Sequence, residues 1–177
     1  PIFALSFRTY IMKIIIAGAG EVGFHLAKLL SYESLDITLI DTLKDRLNYA
    51  EGHLDIKTLR GNASSLAVLK ESDTSESDLF IAVTASESVN ITICALAKQL
   101  GCKRTIARIS NTEFTNADQS ISFQDIGVDE LISPEELAAD EIQQLLDQSA
   151  FTNSYEFAEG AITMIGTQLG AEFKKVK

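Results

Sequence analysis

The sequence predicts an α/β fold: a doubly wound parallel sheet with helices on both faces. Three observations predict it. Apolar runs of four or five residues recur along the chain, long enough for buried strands and too short for helices. Between them lie segments whose apolar residues are spaced as on one face of a helix. The two kinds alternate β-α-β-α-β, and right-handed crossovers turn that order into a parallel sheet covered on both sides.

The elements follow in order. Ile14-Ile15-Ile16-Ala17 is wholly apolar and ends at a glycine, as a strand buried on both faces would. Val22, Leu26, Leu29 and Leu30 then mark one face of an amphipathic helix. Ile37-Thr38-Leu39-Ile40 is the second strand, closed by Asp41, and a helix carrying Leu43 and Leu47 follows. A weaker third strand covers residues 56–59, and a short helix around Leu66 and Leu69 leads to a fourth strand over residues 79–83. A long helix over residues 87–100 places Ile91, Ala95 and Leu96 on one face and stops at Gly101, as helices often end on glycine. Residues 105–109 form the fifth strand and residues near 130–132 a sixth. Ser133 is read as the N-cap of a last helix reaching about Leu146, with Pro134 at its first position and Glu136 completing the capping pattern.

Composition sets the bounds. The 177 residues suffice for one such domain and a short further segment, and 46% of them are hydrophobic, which suits a packed core. A net charge of −10 argues against a nucleic-acid partner and against direct contact with anionic lipid. It leaves a nucleotide open, because one phosphate pair needs only local amides and a helix end. No apolar run approaches the ~18 residues of a membrane span. Cys94 and Cys102 lack metal or redox-motif spacing and are read as reduced thiols, which points weakly to the cytoplasm. Residues 1–11 precede Met12 without the features of a signal peptide, and are read as an extra leader. The nucleotide-binding domain is placed at residues 12–133 and the last helix at 134–148. Residues 149–177 are expected to begin a small α+β subdomain. There Tyr155-Glu156-Phe157 and residues 161–165 flank a Glu159-Gly160 turn, the pattern of a β-hairpin. The tail from residue 172 is expected to fray.

The chemistry centres on Gly18-Ala19-Gly20-Glu21-Val22-Gly23, a GxGxxG loop between a buried strand and an amphipathic helix. Gly18 permits the tight turn, Gly20 lets a pyrophosphate approach the backbone, and Gly23 brings helix and strand together. The helix N-terminus then offers free amides and the positive end of its dipole. Glu21 adds nothing to anion binding and is expected to point outward. Asp41 lies 18 residues beyond Gly23, where a carboxylate accepts from ribose hydroxyls and repels a 2′-phosphate; Thr42-Leu43-Lys44 follows it without an arginine. This loop and acid define a Rossmann-like domain. Its strand order, 3-2-1-4-5-6, opens a crevice between strands 1 and 4. Thr84-Ala85-Ser86 should line that crevice, with Thr84 or Ser86 also capping the next helix. Glu87 and Asn90 could face a ligand, and Arg108, near the end of the fifth strand, could reach phosphate or form a surface ion pair. No catalytic constellation is visible: His25 and His53 fall in a helix and a loop away from the strand ends, and the ~27 residues after Ala150 are too few to build a substrate domain.

Residues 12–23, Met-Lys-Ile-Ile-Ile-Ala-Gly-Ala-Gly-Glu-Val-Gly, resemble the start of the Trk potassium-uptake regulatory proteins, members of the KTN/RCK nucleotide-binding regulatory domain family. Further likenesses follow in order: Asp36 to Asp41; Gly61-Asn62-Ala63; Val83-Thr84 with Asn90; Ile106-Ala107-Arg108-Ile109; residues 130–135; and Phe157-Ala158-Glu159-Gly160. The resemblance spans Met12 to about Gly166. It implies a regulatory subunit rather than an enzyme, binding NAD(H) and ATP or ADP. Its partner would be an integral membrane potassium transporter, at the inner face of the membrane. It adds Asn62 and Ala63 to the site, with Asn62 standing where the family commonly has Asp. It implies homo-oligomers, a dimer or larger ring, packed through the apolar face of the last helix (Leu137, Ala138, Ile142, Leu145 and Leu146). Members usually carry two such units, of which this chain would be one, a fragment of a longer protein. The alternatives are a fragment of an NAD-dependent oxidoreductase, and a structural domain that has lost its ligand.

Overall fold

The computed structural model describes residues 10–114, 122–147, 153–157 and 162–166. The chain divides into two compact units, residues 1–134 and 135–177. In the first, β1 (Lys13–Ala17), α1 (Glu21–Leu30), β2 (Asp36–Asp41), α2 (Lys44–Glu51), β3 (Lys57–Arg60), α3 (Leu66–Glu71), β4 (Leu79–Ala82), α4 (Glu87–Leu100), β5 (Arg104–Arg108) and β6 (Glu130–Ile132) follow one another. The sheet runs β3-β2-β1-β4-β5-β6 and every pairing is parallel. This is the predicted doubly wound fold.

The central strand shows why an unbroken apolar run was needed. Ile15 and Ala17 of β1 enter one core with Phe80, Ile93, Cys94 and Ala97. Ile14 and Ile16 enter the opposite core with Ala27, Leu39, Leu47 and Ala50. Alternate residues of one strand thus bury both faces of the sheet.

Two helices sit rotated from expectation. Val22 and Leu29 of α1 are exposed, while Gly23 and Ala27 are buried. Small residues win that face because α1 must lie close to β1. On α4 the buried side is Asn90, Ile93, Cys94 and Ala97, with Ile91, Ala95 and Leu96 only half-buried beside it. Helix α4 ends at Gly101 with φ 117°, in the left-handed region that glycine favours. Cys94 and Cys102 are both buried, and burial pushes the Cys94 thiol up to about 12, so thiolate chemistry is suppressed at this site.

The edge of the sheet opposite the strand C-termini is held by charge. Asp78 accepts from the Lys13 amide at 2.8 Å and from the Lys103 ammonium at 2.6 Å, and Tyr10 donates its hydroxyl to the same carboxylate. Tyr10 belongs to the segment read as an extra leader, yet it packs here, with the Lys103 ammonium 5.2 Å from its ring centroid. The Lys103 and Tyr10 hydrogen bonds, with the Lys13 amide, hold the Asp78 carboxyl down at about 2, against an ordinary 3.8. A depressed carboxyl contributes stability that is present above pH 3.8 and lost as pH falls through 2. Acid unfolding should therefore steepen across that window in the native protein. Asp78→Asn should be less stable at neutral pH and should flatten the window; an unchanged acid limb would remove Asp78 from its cause.

The second unit contains most of α5 (Pro134–Asp147) and an antiparallel pair, β7 (Asn153–Phe157) and β8 (Ile162–Gly166), in register from Asn153 opposite Gly166 to Phe157 opposite Ile162. The expected hairpin strands are present; the Glu159-Gly160 turn and the tail from residue 172 lie outside the described residues. On α5, Leu137, Ile142 and Leu145 are exposed.

Candidate functional site

A cleft of about 500 Å³ opens at the C-terminal ends of β1, β2, β4 and β5. Its floor is the glycine loop. Gly18 takes φ 108°, and a Cβ there would stand 2.9 Å from the Val83 carbonyl oxygen, so β1 and β4 approach as only glycine allows. Gly23 is tighter still: its Cβ would lie 1.8 Å from the Gly18 carbonyl oxygen. Gly20 is different. Its nearest neighbour in that direction is Arg46 Nη1 at 3.9 Å, so the space its side chain would fill belongs to the cleft. Gly20 is also the N-cap of α1 and supplies no side-chain acceptor to the first-turn amides. A cradle at a helix N-terminus that no side chain fills fits a phosphate pair.

Asp41 closes β2 and is buried. One carboxylate oxygen accepts from the Ala19 amide at 2.7 Å, the other from the Leu43 amide at 2.8 Å. It therefore ties the glycine loop to the start of α2. Each oxygen keeps a further lone pair for a sugar hydroxyl. Arg46 Nη1 stands 3.5 Å from the Ala19-bonded oxygen. The residues that follow Asp41 in sequence, Thr42-Leu43-Lys44, include no arginine. Helix α2 supplies one, because its first turn folds back over the end of β2.

On the other side of the cleft, Asn90 organises the ends of β4 and β5. It is 1% exposed. Its Oδ1 accepts from the Thr84 amide at 2.9 Å and the Thr84 hydroxyl at 2.6 Å. Its Nδ2 donates to the Thr84 carbonyl at 3.2 Å and the Arg108 carbonyl at 2.8 Å. Asn90 is thus a brace, not the ligand-facing group the sequence allowed. Glu87 is likewise engaged, accepting from the Ser110 and Asn111 amides at 2.9 Å each. Ser86, rather than Thr84, caps α4 through the Val89 amide at 3.4 Å.

Of the expected site residues, Gly18, Gly20, Glu21, Val22, Asp41, Asn62, Ala63, Thr84, Ala85 and Arg108 line the cleft together. Glu21 is exposed, as expected. Asn62 already accepts the Ser64 amide at 2.9 Å, so its carbonyl side serves the local turn. Ala19 and Gly23 act beneath the loop, and Ser86 lies in a separate depression with Glu87 and Asn111. Ile40, Thr42, Arg46, Gly61, Val83 and Val89 complete the lining and were missed. Gly61 and Val83 stand next to expected residues and were within reach of the sequence. Arg46 was not, since only the turn of α2 brings it round. His25 and His53 are exposed, outside the cleft, around Phe24 and Tyr49.

Strand order, glycine loop and terminal acid define the Rossmann class of domain. Within that class, residues 14–134 match the model of the TrkA-N domain, and the chain belongs to that family. It is similar to the Trk system potassium uptake protein TrkA of Haemophilus influenzae, 38% identical over 156 residues, covering 87% of this chain and 34% of the relative. The TrkA protein of Halomonas elongata is 36% identical over 158 residues, 89% of this chain and 35% of the relative. The chain thus spans about a third of the length of these relatives. Among solved structures, the TrkA-N domain of the inner membrane protein ybaL from Escherichia coli superposes with a TM-score of 0.67 at 17% identity, covering 78% of this chain and 98% of that one. The GsuK channel bound to NAD superposes with a TM-score of 0.62 at 24% identity, over 78% of this chain and 24% of that one; GsuK has also been solved with ADP.

Proposed function

We propose that this chain is the nucleotide-sensing part of a regulatory subunit of a Trk-type potassium uptake system, binding NAD(H) or ATP/ADP and passing its state to a membrane transporter. The observation that carries the reading is the open position at Gly20, set between the amides of α1 and the Asp41 carboxylate. The α1 amides and the Gly18–Gly23 loop take the phosphates, Asp41 the adenosine ribose, and Asn62 and Ala63 the adenine end. Thr84, Ala85 and Arg108 line the β4–β5 side, where Arg108 meets the far phosphates. The TrkA relatives and the NAD- and ADP-bound forms of GsuK support this assignment. The role is regulatory rather than catalytic, in keeping with the potassium-uptake relatives.

Thermal melting with NADH, ATP and ADP tests the reading. A ligand at 100 times its Kd should stabilise the fold by about 2.7 kcal/mol. No shift with any of the three would overturn it.

The chain works at the inner face of the membrane as a peripheral homo-oligomer. No helix of the described residues is long and apolar enough to cross a membrane. A net charge of −10 favours the Lys- and Arg-rich cytoplasmic loops of a transporter. The exposed Leu137, Ile142 and Leu145 of α5 form an apolar face suited to a second copy. Leu137→Asp with Leu145→Asp should convert a dimer to a monomer in sedimentation while nucleotide binding persists. A native chain that is monomeric at micromolar concentration would refute that interface.

A further inference from the structure

We propose that the outer face of α1 and α2 is a docking surface for a cationic, apolar-faced segment of a protein partner, which seats arginine or lysine side chains in the hollow between the two helices. The inference goes beyond nucleotide binding. It rests on the partner reading above only for the source of that segment, the Lys- and Arg-rich loops of a membrane protein.

The face begins with residues that the core leaves over. Helix α1 buries Gly23 and Ala27 against the sheet, which turns Val22, His25 and Leu29 outward. Their spacing of three and four residues places them on one side of the helix. Leu29 is 69% exposed, and Tyr32, in the turn beyond, 76%. A helix of a globular domain ordinarily keeps its solvent side polar. Apolar side chains gathered there mark a contact surface.

Aromatic rings continue the face onto α2. The exposed Tyr49 ring stands 5.1 Å from that of Phe24 and 4.2 Å from that of His53, and Phe24 stands 5.8 Å from His25. Phe24, His25 and Tyr49 line a hollow of about 500 Å³ beside the cleft.

Charge selects the occupant. Glu21 and Asp45 line the same hollow, and among the described residues neither carboxylate takes an ion pair or a hydrogen bond. Arg46 lines it too, but its guanidinium stands 3.5 Å from the buried Asp41 carboxylate. That pair is neutral as a whole, so Glu21 and Asp45 set the charge of the hollow. An acid in the first turn of a helix is ordinary. Two acids bordering exposed rings offer more: a guanidinium or ammonium can lie over a ring face with a carboxylate beside it. A second copy of this chain would bring a further charge of −10 to the same face and suits it less.

A short peptide of alternating arginine and leucine, and its glutamate–leucine counterpart, test the inference when titrated into the isotope-labelled whole chain. The arginine peptide should bind and move the backbone NMR signals of residues 21–25 and 45–53; the acidic peptide should not. Tyr49→Ala and Asp45→Asn should each weaken binding at least about threefold. Glu71→Gln removes the same charge as Asp45→Asn from the exposed end of α3 and should leave binding unchanged. No binding, signal changes scattered over the surface, equal losses in Asp45→Asn and Glu71→Gln, or native affinity in Tyr49→Ala would each overturn the inference. A native dimer that Tyr49→Ala converts to a monomer in sedimentation would assign the face to a second copy and overturn it too. NADH should raise the melting temperature equally in the native and Tyr49→Ala proteins. If it does so while the peptide fails to bind, this inference falls and the nucleotide reading stands; if neither binds, both fall.

Discussion

Gly23→Ala is expected to damage the fold, and Gly20→Val to abolish nucleotide binding in a fold that survives. The two glycines stand in one loop, three residues apart, and face opposite ways. A Cβ on residue 23 would sit 1.8 Å from the Gly18 carbonyl oxygen and 3.0 Å from its carbon. Both are backbone atoms, so no side chain can swing aside; α1 and the loop must separate. Overpacking of that kind should cost about 3 kcal/mol or more. For a chain of this size, melting should fall by at least about 6 °C. On residue 20 the nearest atom is the end of the Arg46 side chain at 3.9 Å, so valine is accommodated. It would fill the position proposed for the pyrophosphate, and affinity should fall by more than about 1.4 kcal/mol, or tenfold. A Gly20→Val protein with native melting and native affinity would place the ligand elsewhere.

Asn90→Ala should be nearly as costly. The Asn90 amide uses its whole hydrogen-bonding capacity on Thr84 and the Arg108 carbonyl. Alanine would leave two carbonyls and an amide short of partners and open a small void. Each unsatisfied buried group costs about 1–3 kcal/mol, so a loss near 3 kcal/mol is expected. Asn90→Asp separates hydrogen bonding from volume. A carboxylate there would face two carbonyl oxygens, so its pKa should rise on folding. A carboxylic acid with a raised pKa binds more protons when folded, and the variant should lose stability as pH climbs past about 4. Denaturant melts at pH 4 and pH 7 measure this. An Asn90→Ala protein within 1 kcal/mol of native would show that the brace is dispensable.

How much of the site was legible follows from how local each signal is. The glycine loop and Asp41 are neighbours in the fold because they end adjacent strands, β1 and β2. The glycine loop and the acid mark the dinucleotide-binding strand order, which sets β1 beside β2, so both could be read from the chain. The place of Arg46 and the bracing role of Asn90 escaped for one common reason. Each acts through the direction of a side chain on a helix, and that depends on which helical face the sheet buries. The apolar pattern marked Val22 and Leu29 on α1, whereas close approach of helix to strand selected Gly23 and Ala27. The same ambiguity hid the role of Asn90, a polar residue on the buried side of α4 that only its pairing with Thr84 and Arg108 makes tolerable.

The amino-acid sequence by itself determined the parallel α/β sheet, its strand order, the glycine loop and the acid beyond it. All of these depend on periodicity and on residues whose backbone or charge is special wherever they occur. Tertiary structure alone decided which helix faces are buried, that Asp41 is held by two amides beside a guanidinium, and that Asn90 locks β4 to β5. Those outcomes depend on distances between segments far apart along the chain, such as Ala19 and Asp41, 22 residues apart. Close packing against the sheet sets such distances, and no local pattern encodes them.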